Sequence, residues 1–395
     1  MVQRLPWLLF TLPAGVITDR HDRGRLMVGA NAARAGLTAA LALAVLARQD
    51  AIAAPDQIDR VVGTEWFLYG TILVGTVLVG TCEVLYDNSA QTFLPALVEP
   101  AQLERANGRL YSAEMVANQL LGPPLASLLL LSGFVLPVLF DAASFAVSAA
   151  LVLAIVATRR STTAAPPVAA ARSPWRSELA EGFRWLWHHE LLRTFALALG
   201  GLNLLGAMGA SILVLYAQEV LRTSVLEFGL LSTGAALGGV AGGWLAGWLT
   251  ARIGSGSAVR LTLWTGAMTS AAIGLLSNWL AVAVLFVVNM FVAVLWNVIT
   301  VSLRQTVIPD RLLGRVNSVY RFFGWGAIPV GTLLGGAIVA SLDGVLTRES
   351  ALRMPWIVAG AAQLGLALLV GRTLTSARID AARAGGTVED PLAAR

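Results

Sequence analysis

Residues 12–25 read Leu-Pro-Ala-Gly-Val-Ile-Thr-Asp-Arg-His-Asp-Arg-Gly-Arg. An apolar helix stops there in an arginine-dense turn, and another apolar helix begins directly after it. This is the pattern of a hairpin between two membrane spans. Gly15 lets the helix end approach a neighbour closely, Asp19 offers a carboxylate to a helix N-terminus, and Arg20, Arg23 and Arg25 hold the turn on the positive, cytoplasmic side.

The rest of the chain has the composition such a hairpin requires. Of 395 residues, 56% are hydrophobic and only 13% charged, about half the charge density of a soluble domain. The formal charge of +5 does not mark a nucleic-acid binder, because the arginines fall in the gaps between apolar runs rather than on one aromatic-laced patch. All 28 residues counted as Lys or Arg are arginine, so the chain has no lysine for a phosphate-binding loop or a Schiff base, and no ATP is expected to bind. Its single cysteine, Cys82, lies in an apolar run and reads as a small core residue.

Apolar runs of about 20 residues, the length of a spanning helix, lie near 26–47, 66–90, 110–132, 134–157, 194–217, 228–250, 259–276, 279–303, 316–341 and 354–371. With the shorter run Leu5–Thr18 they predict an all-α, polytopic membrane protein of about 11 helices. Arginines cluster at alternate connections, which therefore face the cytoplasm, while the long gap from Arg48 to Glu65 is acidic and faces outside. The expected organisation is an N-terminal bundle over 1–158, a cytoplasmic linker with an amphipathic helix over 159–193, a C-terminal bundle over 194–375, and a polar, disordered tail over 376–395. In the linker, Trp185 and Trp187 beside charged residues suit a helix lying in the membrane interface. His188, His189 and Glu190 are adjacent and share no helix face, so no metal site is expected.

The two bundles repeat each other. Gly15, Thr18 and Arg20 match Gly247, Thr250 and Arg252 at one offset, with Ala251 in the place of Asp19. Pro100, Leu103, Arg105, Asn107 and Gly122 match Pro309, Leu312, Arg315, Asn317 and Gly331 to within one residue. Two related bundles side by side are the pattern of secondary transporters.

Charged and polar groups inside spans are candidates for function. Thr76, Gly80, Glu83, Asp87 and Gln91 line one face of their helix, and Asn289, Ala293, Asn297, Thr300 and Arg304 do the same on the repeat-related helix. These stripes read either as walls of a central cavity or as polar contacts between helices. Arg34, about 12 Å into its span, needs a partner; Asp87, Glu83 and Glu114 lie at comparable depth, and Asp141 at a different one. Either an ion pair or a substrate contact would satisfy it. Gly122, Pro123 and Pro124 allow close packing and a bend. The glycine ladders Gly234, Gly238, Gly242 and Gly239, Gly243, Gly247 are structural.

The hairpin resembles the loop 2 to 3 signature of the major facilitator superfamily, with Gly15, Asp19, Arg20 and Arg23 in the pattern's positions. Residues 121–126 resemble the Gly-Pro motif of the family's exporters, although Ala126 stands where glycine is usual. The segments Phe140–Phe145, Glu181–Trp187 and Leu303–Tyr320 resemble the enterobactin-exporter and macrolide-efflux branch. That resemblance implies a 12-helix fold of two pseudo-symmetric bundles and proton-coupled export of an amphipathic drug, siderophore or metabolite. It implies no cofactor, a site at the bilayer midplane, and a monomer in the bacterial inner membrane. It further implies that Asp19 faces the start of the eleventh helix near Asn317 and that Arg23 pairs with Asp87. The family's first span has no counterpart in this sequence. Fifteen residues lead to Gly15 against 53 from Thr194 to Gly247, so one further upstream helix is expected. The rival readings are a transport-dead remnant or scaffold and a membrane-embedded enzyme on lipid-linked substrate; for the latter, His21, His188 and His189 make no constellation.

Overall fold

The computed structural model describes residues 5–48, 66–131, 133–160 and 174–385. Their regular structure is helical apart from one isolated bridge between Asp343 and Leu346. The order is α1 (Leu5–Arg20), α2 (Arg23–Ala47), α3 (Trp66–Phe93), α4 (Leu103–Met115), α5 (Gly122–Leu130), α6 (Val135–Arg160), α7 (Trp175–His188), α8 (Glu190–Ser211) and the short α9 (Leu213–Leu215). It continues with α10 (Val225–Ile253), α11 (Ser255–Leu275), α12 (Trp279–Val307), α13 (Leu313–Leu342), α14 (Arg348–Gly371) and α15 (Ser376–Gly385). Among the described residues, α2, α3, α6, α8, α10, α12, α13 and α14 are long and apolar enough to cross a bilayer.

Local chemistry sets the helix ends. Asp22 caps α2 by accepting from the Arg25 amide at 2.7 Å, and Ser224 with Glu227 forms a reciprocal capping box on α10. Gly254, at φ +79°, separates α10 from α11 in a backbone region that other residues rarely adopt. Ahead of Pro123 and Pro124, residues Val116–Leu121 take a π-helical form that joins α4 to α5. Neither proline can bond back to a carbonyl four residues earlier, and the widened turn falls where those bonds are missing.

Packing divides the chain into two compact units. The first comprises Met1–Ala96, Gly122–Phe183 and Asp310–Phe322; the second comprises Leu97–Leu121, Arg184–Pro309 and Phe323–Arg395. Each unit thus contains a segment from the other half of the sequence, and the two exchanged segments fall in the region of the repeat match. In the first unit, Met27 packs with Val152 and Val156, and Trp7 with Ala14 and Val84. In the second, Tyr216, Leu231, Ile273, Val282 and Trp356 belong to one buried cluster, where the Tyr216 hydroxyl bonds the carbonyls of Ile273 and Leu276 at a helix end.

One expectation needs correction. The expected tail is ordered over its first ten residues: 376–385 is helical, Leu374 and Ile379 are fully buried, and Arg383 bonds Glu104. A buried apolar residue and a partly buried ion pair hold this short polar helix where composition alone suggested none. In α7 the two tryptophans differ, Trp185 being 2% exposed and stacked on His189 while Trp187 is 41% exposed. The acidic loop after Arg48, the linker over 161–173 and the chain beyond 385 lie outside the described residues.

Because Ile379 is fully buried, Ile379→Ala should cost about 2–4 kcal/mol of packing and raise amide hydrogen exchange throughout α15. Arg378→Ala, which loses only a solvent-exposed pair with Glu190, should leave that exchange unchanged.

Candidate functional site

In the first unit, the end of α1 meets the start of α13. Gly15 sits so close that a Cβ there would collide with the Ser318 side chain and stand 2.7 Å from the Gly314 carbonyl oxygen. That approach brings Asp19 onto the first turn of α13, where its carboxylate accepts from the amides of Gly314 at 2.8 Å and Arg315 at 3.0 Å, and from Arg315 Nε at 3.0 Å. Backbone donors at a helix start and a guanidinium suit a carboxylate that is only 1% exposed. Asp19 stands past the apolar run Leu5–Thr18. Burial pushes its carboxyl up to about 6, against the downward pull of the two amides and Arg315, so at pH 7.5 it remains ionised.

The remaining charges extend this contact. Arg20 makes a two-point bond to Glu178 of α7, at 3.0 and 3.1 Å. Arg315 reaches Glu178 at 3.6 Å and Glu181 at 2.7 Å, and Glu181 also accepts from Arg311 at 3.0 Å. Arg23 bonds Asp310 at 2.6 Å and the Thr92 carbonyl at 2.9 Å, and lies 3.9 Å from Asp19. Four carboxylates, Asp19, Glu178, Glu181 and Asp310, thus balance four guanidiniums, Arg20, Arg23, Arg311 and Arg315.

The expected pair of Arg23 with Asp87 is not formed. Asp310, at the turn leading into α13, lies closer to Arg23, and Asp87 instead takes Arg321 Nη2 at 3.3 Å. Arg321 is 7% exposed on its side chain and stacks over the Trp7 ring at 4.4 Å. Other members of the polar stripe on α3 are also turned toward helices. Gly80 packs against Pro6, and Gln91 accepts from Asn317 at 3.1 Å. Asn317 also donates to Asn88, which in turn donates to Thr18, itself 3.4 Å from the Ser89 hydroxyl.

Arg34 does not pair with Asp87, which is taken by Arg321. Its guanidinium lies 3.9 Å from the centre of the Phe145 ring and 3.4 Å from Asn31 Oδ1. Glu83 is half-buried and has contacts of its own.

The second unit repeats the arrangement with the polarity of its central contact reversed. Gly247 packs on the backbone of Arg105, and a Cβ on Gly108 would collide with the Gly243 carbonyl. Ala251 brings no carboxylate, so the acid comes from α4: Glu104 accepts from Thr250 at 2.5 Å, Ser255 at 3.1 Å and Arg383 at 2.5 Å. Asn107 donates to Ser302 and Gln305 of α12, three residues apart, as Asn317 does to Asn88 and Gln91 of α3. The α12 stripe is tied up locally. Asn289 donates to Thr269, Asn297 to its own helix, Thr300 is buried, and Arg304 is buried with contacts of its own. Glu114 on α4 is exposed.

Sequence reading singled out Asp19, Arg20, Arg23 and Asp87 but missed their charge partners Arg315, Glu178, Asp310 and Arg321, and with them Glu181, which pairs with Arg315 and Arg311. A signal existed for α7, whose two acids three residues apart face one side. No local pattern marks Arg321.

The profile of the Major Facilitator Superfamily matches residues 5–332. Enterobactin exporter EntS of Escherichia coli is 26% identical over 279 residues, 70% of this chain and 61% of the relative; EntS of Citrobacter koseri is 26% identical over 256 residues, 64% and 58% respectively. The chain thus spans about 61% of the length of the E. coli relative. Among solved structures, a bacterial homologue of the iron transporter ferroportin in an outward-facing state superposes with a TM-score of 0.67 at 21% identity, covering 95% of this chain and 89% of that one. The Escherichia coli fucose:proton symporter FucP gives 0.63 at 16% identity, covering 95% and 89%.

If the charge network holds α1 against α13, Asp19→Asn should loosen that contact, since it leaves Arg315 short of one buried charge partner. Ser318 is fully buried beside Gly15, so a Ser318→Cys thiol, with Cys82→Ala, should react with a maleimide slowly. Adding Asp19→Asn should raise that rate about tenfold, the equivalent of about 1.4 kcal/mol. An unchanged rate would show that the carboxylate does not hold the helices together.

Proposed function

We propose, since this chain belongs to the Major Facilitator Superfamily and is therefore a membrane transporter, that it exports an amphipathic small molecule in exchange for protons by alternating access. The sequence repeats 1–158 and 194–375 are the moving bundles of this reading. Export is supported by the likeness to the enterobactin exporters, and the superfamily supplies the alternating-access scheme. The inner membrane of a bacterium is the matching location.

The observation that carries proton coupling is the ion pair of Asp87 with Arg321. A carboxylate within a span is costly unless compensated, and Asp87 has a buried guanidinium 3.3 Å away. Its side chain is 39% exposed, so it is open to a proton, whereas Arg321 is not open to solvent. When Asp87 is empty, Arg321 balances it; when it is protonated, the Trp7 ring 4.4 Å from the guanidinium centre continues to stabilise the cation. In this reading Asp87 carries the proton, Arg321 is its positioning residue, and the network around Asp19 gates one face. Arg34, Glu83, Gln91, Glu114, Asn289, Asn297, Thr300 and Arg304 remain candidates for contact with substrate, and Gly122, Pro123 and Pro124 supply a bend.

The test is uptake into sealed inside-out vesicles under an imposed pH gradient, across a panel of amphipathic compounds that includes catecholate siderophores. Wild-type protein should concentrate at least one compound. Asp87→Asn should abolish concentrative uptake while retaining substrate exchange without a gradient, and Arg321→Gln should move the pH profile of uptake. Normal gradient-driven uptake by Asp87→Asn would place the proton elsewhere. Absence of flux for every compound in the panel would favour the scaffold reading.

A further inference from the structure

A cavity of about 610 Å³ lies in the second unit, at the end of α10, between the starts of α4 and α11 and the helix α15. Its size suits a small polar ligand. Two acids and two arginines line it, Glu104, Asp380, Arg105 and Arg383. Glu104 is already satisfied by Arg383 and by the hydroxyls of Thr250 and Ser255. That leaves one cation and one anion, Arg105 and Asp380. Both are exposed, and neither forms an ion pair or hydrogen bond through its side chain among the described residues.

The location of the cavity limits what can enter it. Trp244 and Trp248, one turn apart on α10, line it and are 76% and 55% exposed. The Arg252 guanidinium lies 5.0 Å from the centre of the Trp248 ring. Large exposed tryptophans beside an arginine at the end of a spanning helix lie at headgroup level in a bilayer. The cavity therefore opens where lipid phosphates are, on the arginine-rich side.

We propose that this cavity binds the headgroup of a zwitterionic phospholipid whose amine can donate hydrogen bonds, that is, a phosphoethanolamine lipid. Arg105 takes the phosphate, for which a guanidinium is well suited, and Asp380 takes the ammonium. A phosphocholine lipid carries the same charges but has no N–H for Asp380. A phosphoglycerol lipid offers its phosphate and leaves Asp380 without a counter-charge. This assignment rests on the chain being embedded in a membrane and is independent of the direction and coupling of transport.

Native mass spectrometry of the intact chain, loaded with equimolar phosphatidylethanolamine, phosphatidylcholine and phosphatidylglycerol, tests it. Wild-type protein should retain the ethanolamine lipid about tenfold over the choline lipid, the order of one charge-assisted hydrogen bond. Asp380→Asn should erase that preference while still retaining lipid, and Arg105→Gln should lower retention of all three. Arg372→Gln, an exposed arginine outside the cavity lining, should change nothing, and circular dichroism should confirm that each variant is folded. Equal retention of ethanolamine and choline lipids by wild-type protein would overturn the proposal, as would an unchanged preference in Asp380→Asn. Displacement of the lipid by millimolar inorganic phosphate would overturn it in favour of a soluble phosphate ligand.

Discussion

A carboxylate kept from water needs donors, and the first turn of a helix has amides with no partner in their own helix. Asp19 and the start of α13 answer each other in this way, and much of the first unit follows from that contact. Glycine at position 15 allows the approach. Arg315 must then lie beside Asp19, and α7 must bring Glu178 and Glu181 to balance Arg315, Arg20 and Arg311. Asp19 is the deeply buried member of this network, so removing its charge leaves Arg315 short of a buried partner, whereas Asp310 and Arg311 at the rim are open to solvent.

The second unit meets the same geometric demand by a different route. Its small-residue seam, Gly243 and Gly247 against α4, preserves the close approach of the repeat. Alanine at 251 removes the acid from the hairpin, and the acid moves to the facing helix as Glu104. The donors are then hydroxyls of the hairpin and Arg383 of α15. A helix too short and polar to be stable alone becomes ordered because its arginine and Ile379 both have places to go. The duplicated fold therefore conserves the distance between helices while exchanging which of them carries the charge.

Much of this was legible in the sequence because membranes enforce simple rules. Apolar runs of fixed length located the helices: the run at 279–303 became Trp279–Val307, and that at 66–90 became Trp66–Phe93. Arginine placement and a shared glycine register exposed the repeat. Partners were less legible. Arg23 found Asp310 rather than Asp87, and Arg321 found Asp87, because residues distant in sequence meet only once helices are packed. The polar stripe on α3 was recognised as facing away from lipid, yet periodicity cannot say whether a polar face looks at a cavity or at another helix. Gly80 against Pro6 and Gln91 against Asn317 are helix contacts.

Arg34 shows how a half-buried cation can be held without a carboxylate in direct contact. Its guanidinium lies against the Phe145 ring at 3.9 Å, and Asn31, which donates to Ser148 at 2.7 Å, turns its carbonyl oxygen toward it. A ring face and an amide oxygen offset part of the cost of burial. Arg321 has a different environment, with a ring on one side and an ionised partner on the other. A ring face and an amide oxygen thus serve the arginine of α2, whereas a ring face and a carboxylate serve that of α13, whose balance therefore depends on an opposite charge.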